Sequence, residues 1–167
     1  MTTEQVDYIC TTFKGCKLDD IACGHSPLKH KSRVFDYLGI DKEVIPGTIT
    51  ADLSKPCQHL RYDVALVSWP INRLGIAWHL FLDKYPEIVY VGCNTGGIMC
   101  GDPEFWKIVT NREVLHIVPD RSETLIHYGP KSRPAGARQP MEEYYGQIAW
   151  NGGKIHQYDE KLQWRKP

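Results

Sequence analysis

Apolar positions along this chain fall into two rhythms. Some form short continuous runs, others recur at helical spacing, and turn-forming residues separate them. The run over 63–68, Asp63-Val64-Ala65-Leu66-Val67-Ser68, is continuous rather than alternating. That pattern marks a strand covered on both faces, as in a parallel sheet. A second run of this kind lies at 87–92. A third, over 17–23, breaks into the turn Gly24-His25-Ser26-Pro27. The stripe of Val34, Phe35 and Leu38 then predicts a helix over 28–38, with Ser26 as N-cap, Pro27 in the first turn and Gly39 as the stop. Residues 43–52 are β-branched but interrupted by Pro46-Gly47, which predicts two short extended pieces with a bend. Leu74, Ala77, Trp78, Phe81 and Leu82 predict a helix over 74–85. Asp102 and Pro103 predict the start of another, running to about residue 110.

The second half of the pattern is antiparallel. Residues 113–118 and 124–128 read as strands joined by the turn-rich Pro119-Asp120-Arg121-Ser122. Residues 129–140 are polar and rich in Pro, Gly and Arg, which suits a linker. Residues 147–150 and 154–156, around Asn151-Gly152-Gly153, read as a hairpin that must pack on something larger. Strand and helix alternation predicts a small Rossmann-like α/β fold. Its open sheet is mostly parallel, with an antiparallel edge pair and a C-terminal β-hairpin, and a ligand sits at the carboxyl ends of the strands. Residues 1–130 form the α/β domain, and 131–167 form the linker and hairpin packed on it.

Composition narrows the classes. The chain has 167 residues, 42% of them hydrophobic and 24% charged. One globular domain fits, and long disorder, collagen and coiled coil do not. Twenty basic and twenty acidic side chains give zero net charge, which argues against a general attraction to nucleic acid or an anionic membrane. No apolar run is long enough to span a bilayer, and the start, MTTEQVDYIC, lacks the pattern of a signal peptide. The expected location is the cytoplasm. Cys10, Cys16, Cys23, Cys57, Cys93 and Cys100 form no C-x-x-C pair, and the seven histidines show no metal spacing. Reduced, structural cysteines and no metal are expected.

Three places carry candidate chemistry. The first is Asp20-Ile21-Ala22-Cys23-Gly24-His25-Ser26-Pro27. A strand that ends in small residues and opens a helix lets backbone N–H groups approach a nucleotide-like ligand. An ordinary β-α turn would look the same. The octet resembles the first motif of class I S-adenosylmethionine-dependent methyltransferases, a strand followed by acidic-x-Gly-x-Gly-x-Gly. Asp20 stands at the acidic position and Gly24 at the middle glycine. Ala22 and Ser26 replace the outer two glycines, and Cys23 lies between.

The second place is Tyr62-Asp63-Val64-Ala65-Leu66-Val67-Ser68-Trp69-Pro70. It resembles the fourth motif of the same family, a strand ending in Asp/Asn/Ser-Pro-Pro-aromatic. Ser68 matches the polar position and Pro70 a proline, while Trp69 replaces the first proline and Ile71 the aromatic. The resemblance implies that Ser68, Trp69 and Pro70 hold a polar, amino-type acceptor. It also implies S-adenosylmethionine as cofactor. Asp20, Ala22, Cys23, Gly24 and Ser26 would lie at its turn, Glu43 or Asp41 would hold the ribose hydroxyls, and Asp52 would lie beside the adenine. The resemblance covers residues 17–130. It departs between Gly24 and Asp63, where the family fits two helices and two strands and this chain has room for one helix and two short strands.

The third place is the glycine-rich stretch 91–101, which could wall a substrate pocket. Arg121, Lys131, Arg133 and Arg138 form a basic stretch that suits a solvated loop or a substrate phosphate. Two other functions stay open. One is a non-catalytic binding protein of the same fold that meets a partner through Trp69, Trp78, Trp106 or Trp150. The other is a small nucleotide or glycosyl hydrolase or transferase using Asp20, Asp52 or Asp63 as acid or base. A small-molecule or nucleotide-like substrate is the expected partner, with no membrane.

Overall fold

The protein is described from a computed structural model, over residues 1–31, 34–70, 75–93, 103–109, 111–119, 123–131, 157–158 and 164–165. Seven strands form one sheet: β1 (Lys17–Ile21), β2 (Asp36–Asp41), β3 (Ile49–Thr50), β4 (Val64–Ser68), β5 (Glu87–Cys93), β6 (Arg112–Pro119) and β7 (Glu123–Lys131). Their order is β3-β2-β1-β4-β5-β7-β6. The first five are parallel and β7 and β6 are antiparallel. The predicted mostly parallel sheet with an antiparallel edge pair is therefore present. A two-stranded antiparallel pair, β8 (Gln157–Tyr158) with β9 (Trp164–Arg165), lies near the carboxyl end. The hairpin expected at 147–156 lies outside the described residues.

Alternation through the sheet divides the core in two. On β4 and β5, Val64, Leu66, Val89 and Val91 face one layer, and Ala65, Val67, Ile88 and Tyr90 face the other. The first layer is closed by α1 (Thr3–Thr12), which sets Ile9 and, at its C-cap, Phe13 against the sheet. A capping box starts this helix: Thr2 Oγ1 accepts from Gln5 N–H and Gln5 Oε1 accepts from Thr2 N–H. The second layer is closed by α2 (Pro103–Val109) and by residues 53–60 and 76–85. Each fully buried aliphatic or aromatic side chain contributes roughly 1.5–3 kcal/mol.

Three elements differ from the sequence reading. Residues 28–38 are not a helix. A single 3-10 turn, Pro27–Lys31, is followed by β2. Tyr37 and Gly39 face one layer while Leu38 and Ile40 face the other, so a period of two wins over the spacing of Val34, Phe35 and Leu38. Gly39 is a close-approach residue rather than a helix stop. A Cβ there would lie 3.0 Å from Cys23 Sγ and 3.1 Å from Tyr37 Oη. The second parallel strand is thus 36–41, not the stretch 43–52, of which only Ile49–Thr50 pairs, with Ile40 and Asp41 of β2.

Residues 75–85 hold two 3-10 turns, Trp78–Leu80 and Leu82–Lys84, in place of one helix, and Leu74 lies outside the described residues. Backbone donors there go to tertiary partners. Ala77 N–H bonds Leu53 O at 3.0 Å and Trp78 N–H bonds Glu104 Oε2 at 3.0 Å. Buried Arg112 ties the same stretch to β7, donating to Leu82 O, Pro86 O and Gly129 O. Helix α1 is the third difference, an element absent from the sequence reading. Its Thr2-x-x-Gln5 cap and the spacing of Val6, Ile9 and Phe13 are the signal that marks it.

Two adjacent carboxylates of β1, Asp19 and Asp20, are buried on opposite faces of the sheet. Asp19 accepts from Arg61 Nε (2.7 Å), Arg61 N–H (2.7 Å), Tyr62 N–H (3.3 Å) and Tyr85 Oη (2.7 Å). This pins the entry to β4. Asp20, next along the strand, faces the other layer and the site.

Candidate functional site

A cleft of about 380 Å³ opens at the carboxyl ends of β1, β2 and β4. It sits where the strand order reverses between β1 and β4, the usual ligand position in an open α/β sheet. Its volume falls within the roughly 300–1,000 Å³ of small-molecule sites. Ala22, Cys23, Gly24, Ser26, Asp41, Glu43, Ser68 and Trp69 line it, along with Met1, His25, Pro27 and Lys42. The structure therefore brings the two motifs together across the β1–β4 pairing. Asp20, Asp52 and Pro70 are not among the lining residues. Asp52 is exposed, and Ser54 and Lys55 hold its carboxyl at about 2, so it stays ionised. Pro70 is buried just past the lining residue Trp69.

The turn after β1 is held in unusual backbone geometry. Ala22 has φ +56° and Gly24 φ +49°, and Trp69, across the cleft, has φ +52°. For Ala and Trp this left-handed conformation is costly and persists only where surrounding contacts impose it. At Gly24 the contact is Asp41, whose Oδ2 accepts the Gly24 N–H at 2.9 Å while Oδ1 accepts the Glu43 N–H at 3.0 Å. Asp41 is the last residue of β2 and is buried, whereas Glu43 is exposed at the rim. A carboxylate has about four acceptor positions, so Asp41 keeps capacity for a ligand.

Asp20 lies beneath this turn, fully buried. Tyr37 Oη donates to its Oδ2 at 2.9 Å, and its Oδ1 has no partner among the described residues. Burial pushes its carboxyl up to about 7, against the opposing bonds from Ser26 and Tyr37. Burial, with Asp20 and Asp41 beside it, pushes the Cys23 thiol up to about 12. Cys23 is therefore a thiol rather than a thiolate near neutral pH.

Trp69 closes the far wall. Its N–H bonds Val91 O at 2.7 Å and its indole Nε1–H donates to Glu123 Oε2 at 3.0 Å. Glu123 opens β7 and is 6% exposed, and its Oε1 pairs with the Met1 amino group at 3.0 Å. Glu123, Asp41 and Tyr37 are the site residues that motif reading underweights. Asp41 was legible as one of two acids, but Glu123 follows a turn and joins the site only through strand pairing.

Other candidates disperse. Trp78 and Trp106 are core residues, 1% and 2% exposed, so neither presents itself to a partner. Trp150 lies outside the described residues. Asp63 accepts Lys17 N–H at the amino end of the sheet, remote from Asp20 and Asp52, so the three do not form one acid–base site. Lys131 pairs with Asp83 at 2.8 Å. Arg121, Arg133, Arg138 and 94–101 of the glycine-rich stretch lie outside the described residues. Cys10, Cys16, Cys23 and Cys57 are free thiols. No helix among the described residues is long and apolar enough to cross a membrane.

No protein-family model matches the sequence, and no curated protein matches it. Solved structures do. TrmK of M. capricolum, in complex with S-adenosyl-homocysteine, aligns with a TM-score of 0.55 at 10% identity, over 90% of this chain and 83% of that one. An rRNA methylase from Escherichia coli aligns with a TM-score of 0.54 at 16% identity, over 76% of this chain and 62% of that one. This chain thus spans about three fifths of that enzyme. The 1,6-didemethyltoxoflavin-N1-methyltransferase of Burkholderia thailandensis, with S-adenosylhomocysteine bound, aligns with a TM-score of 0.55 at 8% identity, over 77% of this chain and 76% of that one. Strand order, cleft position and these likenesses agree: the chain has the Rossmann-like fold of the S-adenosylmethionine-dependent methyltransferases.

Proposed function

We propose that the cleft binds S-adenosylmethionine and that the protein transfers its methyl group to a polar, amino-type acceptor beside Ser68 and Trp69. The observation that carries this reading is the pair of buried acids at the strand ends. Asp41 ends β2 with acceptor capacity left, and Asp20 lies under the turn with Oδ1 unpartnered among the described residues. Both suit a ligand that bears ribose hydroxyls at one end and a cationic amino acid at the other.

Asp41 would take the ribose hydroxyls, with Glu43 at the rim. The Ala22–Gly24 backbone lets a ligand approach closely because no bulky side chain covers it. Asp20 would favour the cationic end from below, and a neighbouring positive charge would in turn favour its ionised form. Asp52, beyond the rim, would lie on the adenine side. When bound, the cofactor supplies a methyl group on an electron-poor sulfonium. The protein's part is then alignment and exclusion of water. Ser68 Oγ would orient an acceptor N–H, and the Trp69 ring would set its plane. The relatives named above include RNA and small-molecule methyltransferases. The zero net charge and the modest cleft favour a small or nucleotide-like acceptor here.

Calorimetric titration with S-adenosylmethionine and S-adenosylhomocysteine tests this reading. Saturable binding in the micromolar range supports it. No binding at millimolar cofactor overturns it.

A further inference from the structure

We propose that Glu123 is a positioning residue, whose buried carboxylate holds the Trp69 indole by its ring N–H as a fixed wall at the acceptor end of the cleft. The inference rests on the reading of the cleft given above, and it concerns a residue outside both motifs.

Three observations converge. The Trp69 backbone is set in the left-handed region, with its N–H on Val91 O, so the position of Cα is not free to adjust. The indole then has one hydrogen-bonding group, Nε1–H, and Glu123 Oε2 takes it at 3.0 Å. Glu123 comes from β7, across β5 from β4, where it pairs opposite Cys93. The antiparallel edge therefore reaches over the end of β5 to hold a residue of the parallel half.

A backbone carbonyl would satisfy an indole N–H. A carboxylate kept 6% exposed is a costly alternative even with its other oxygen paired to the Met1 amino group, because desolvating charge opposes folding. What it adds is strength and direction, since a bond to an ionised acceptor is roughly twice as strong as a neutral one. With backbone and ring N–H both fixed, the two side-chain torsions of Trp69 are set. A ring so held presents one plane to an acceptor and favours flat molecules over puckered ones.

The test uses the full chain with 15N-labelled indoles. Trp69→Phe identifies the Trp69 ring N–H signal by its loss. Glu123→Ala should speed exchange of that N–H with solvent at least tenfold, and Glu123→Gln, which keeps an oxygen acceptor, should restore most of the protection. Each protein is first saturated with S-adenosylhomocysteine at its own measured affinity. Adenine, a flat amine-bearing probe, should bind the S-adenosylhomocysteine-saturated wild type and bind Glu123→Ala at least fivefold more weakly. Should Glu123→Ala fail to fold, Trp69→Phe removes the same bond with Glu123 in place and should show the same loss of adenine affinity. Unchanged exchange in Glu123→Ala, equal adenine affinities, or a saturated wild type that takes no adenine would overturn the proposal. A wild type that takes no S-adenosylhomocysteine overturns the cofactor reading instead, while the exchange comparison still judges Glu123.

Discussion

The carboxylate of Asp41 accepts the N–H of Gly24 at 2.9 Å, tying the end of β2 to the turn that follows β1. One side chain thus shapes the turn and lines the cleft. Asp41→Ala should weaken S-adenosylhomocysteine binding by 10-fold or more, to be read by calorimetry, because it removes a ligand acceptor and frees two backbone donors at once. Each freed donor that is left unsatisfied costs about 1–3 kcal/mol. Asp41→Asn keeps one oxygen acceptor and should fall between wild type and Asp41→Ala.

Asp20 predicts a pH dependence with a definite sign. Its carboxyl sits at about 7 in the folded protein and near 4 when unfolded. Between those values the unfolded chain is ionised while the folded one keeps its proton. Stability of the free protein should therefore fall as pH rises from about 4 to about 7, then level off. The loss is on the order of 4 kcal/mol. Denaturant unfolding of Asp20→Asn, compared with wild type from pH 4.5 to 8, should lack this contribution. A cationic ligand favours the ionised form, so cofactor affinity should rise over the same window.

Asp19, its neighbour, has partners on both of its carboxylate oxygens. Asp19→Ala removes the partner of Arg61, of two backbone N–H groups and of the Tyr85 hydroxyl. Urea unfolding should show a loss of about 3–5 kcal/mol, the range for breaking one side of a buried pair. Tyr85→Phe removes a single bond and should cost about 1–2 kcal/mol.

Gly92 marks how tightly the second layer closes on β5. A Cβ at this position would overlap the Tyr90 ring, which lies two residues back on the same face. Gly92→Ala should lower stability by about 3 kcal/mol, as overpacked sites do, and thermal unfolding would show it as a drop of several degrees.

Residues 63–68 and 87–92 read as central strands because both of their faces are apolar, and the structure places them there. The edge pair 113–118 and 124–128 was legible from a turn-rich link between two β-rich runs. The octet Asp20–Pro27 was legible because small residues between a strand and a proline leave backbone exposed. Residues 34–41 were not, because Phe35, Leu38 and Gly39 fit a helix as well as a strand, and only pairing with β1 decides for the strand. Residues 75–85 also misled, because Glu104 and Leu53 take backbone N–H groups that a helix would have used internally.

The sequence by itself determined the two central strands with both faces covered, the antiparallel edge pair and the small-residue turn at the mouth of the site, since each follows from local pattern. Tertiary structure decided the rest. It buried Asp41 against the turn after β1 and left Glu43 exposed at the rim. It left Asp20 without a partner for one oxygen, and it brought Glu123 to Trp69, 54 residues away in the chain. Burial and long-range hydrogen bonding depend on which strands become neighbours, and no local spacing encodes that.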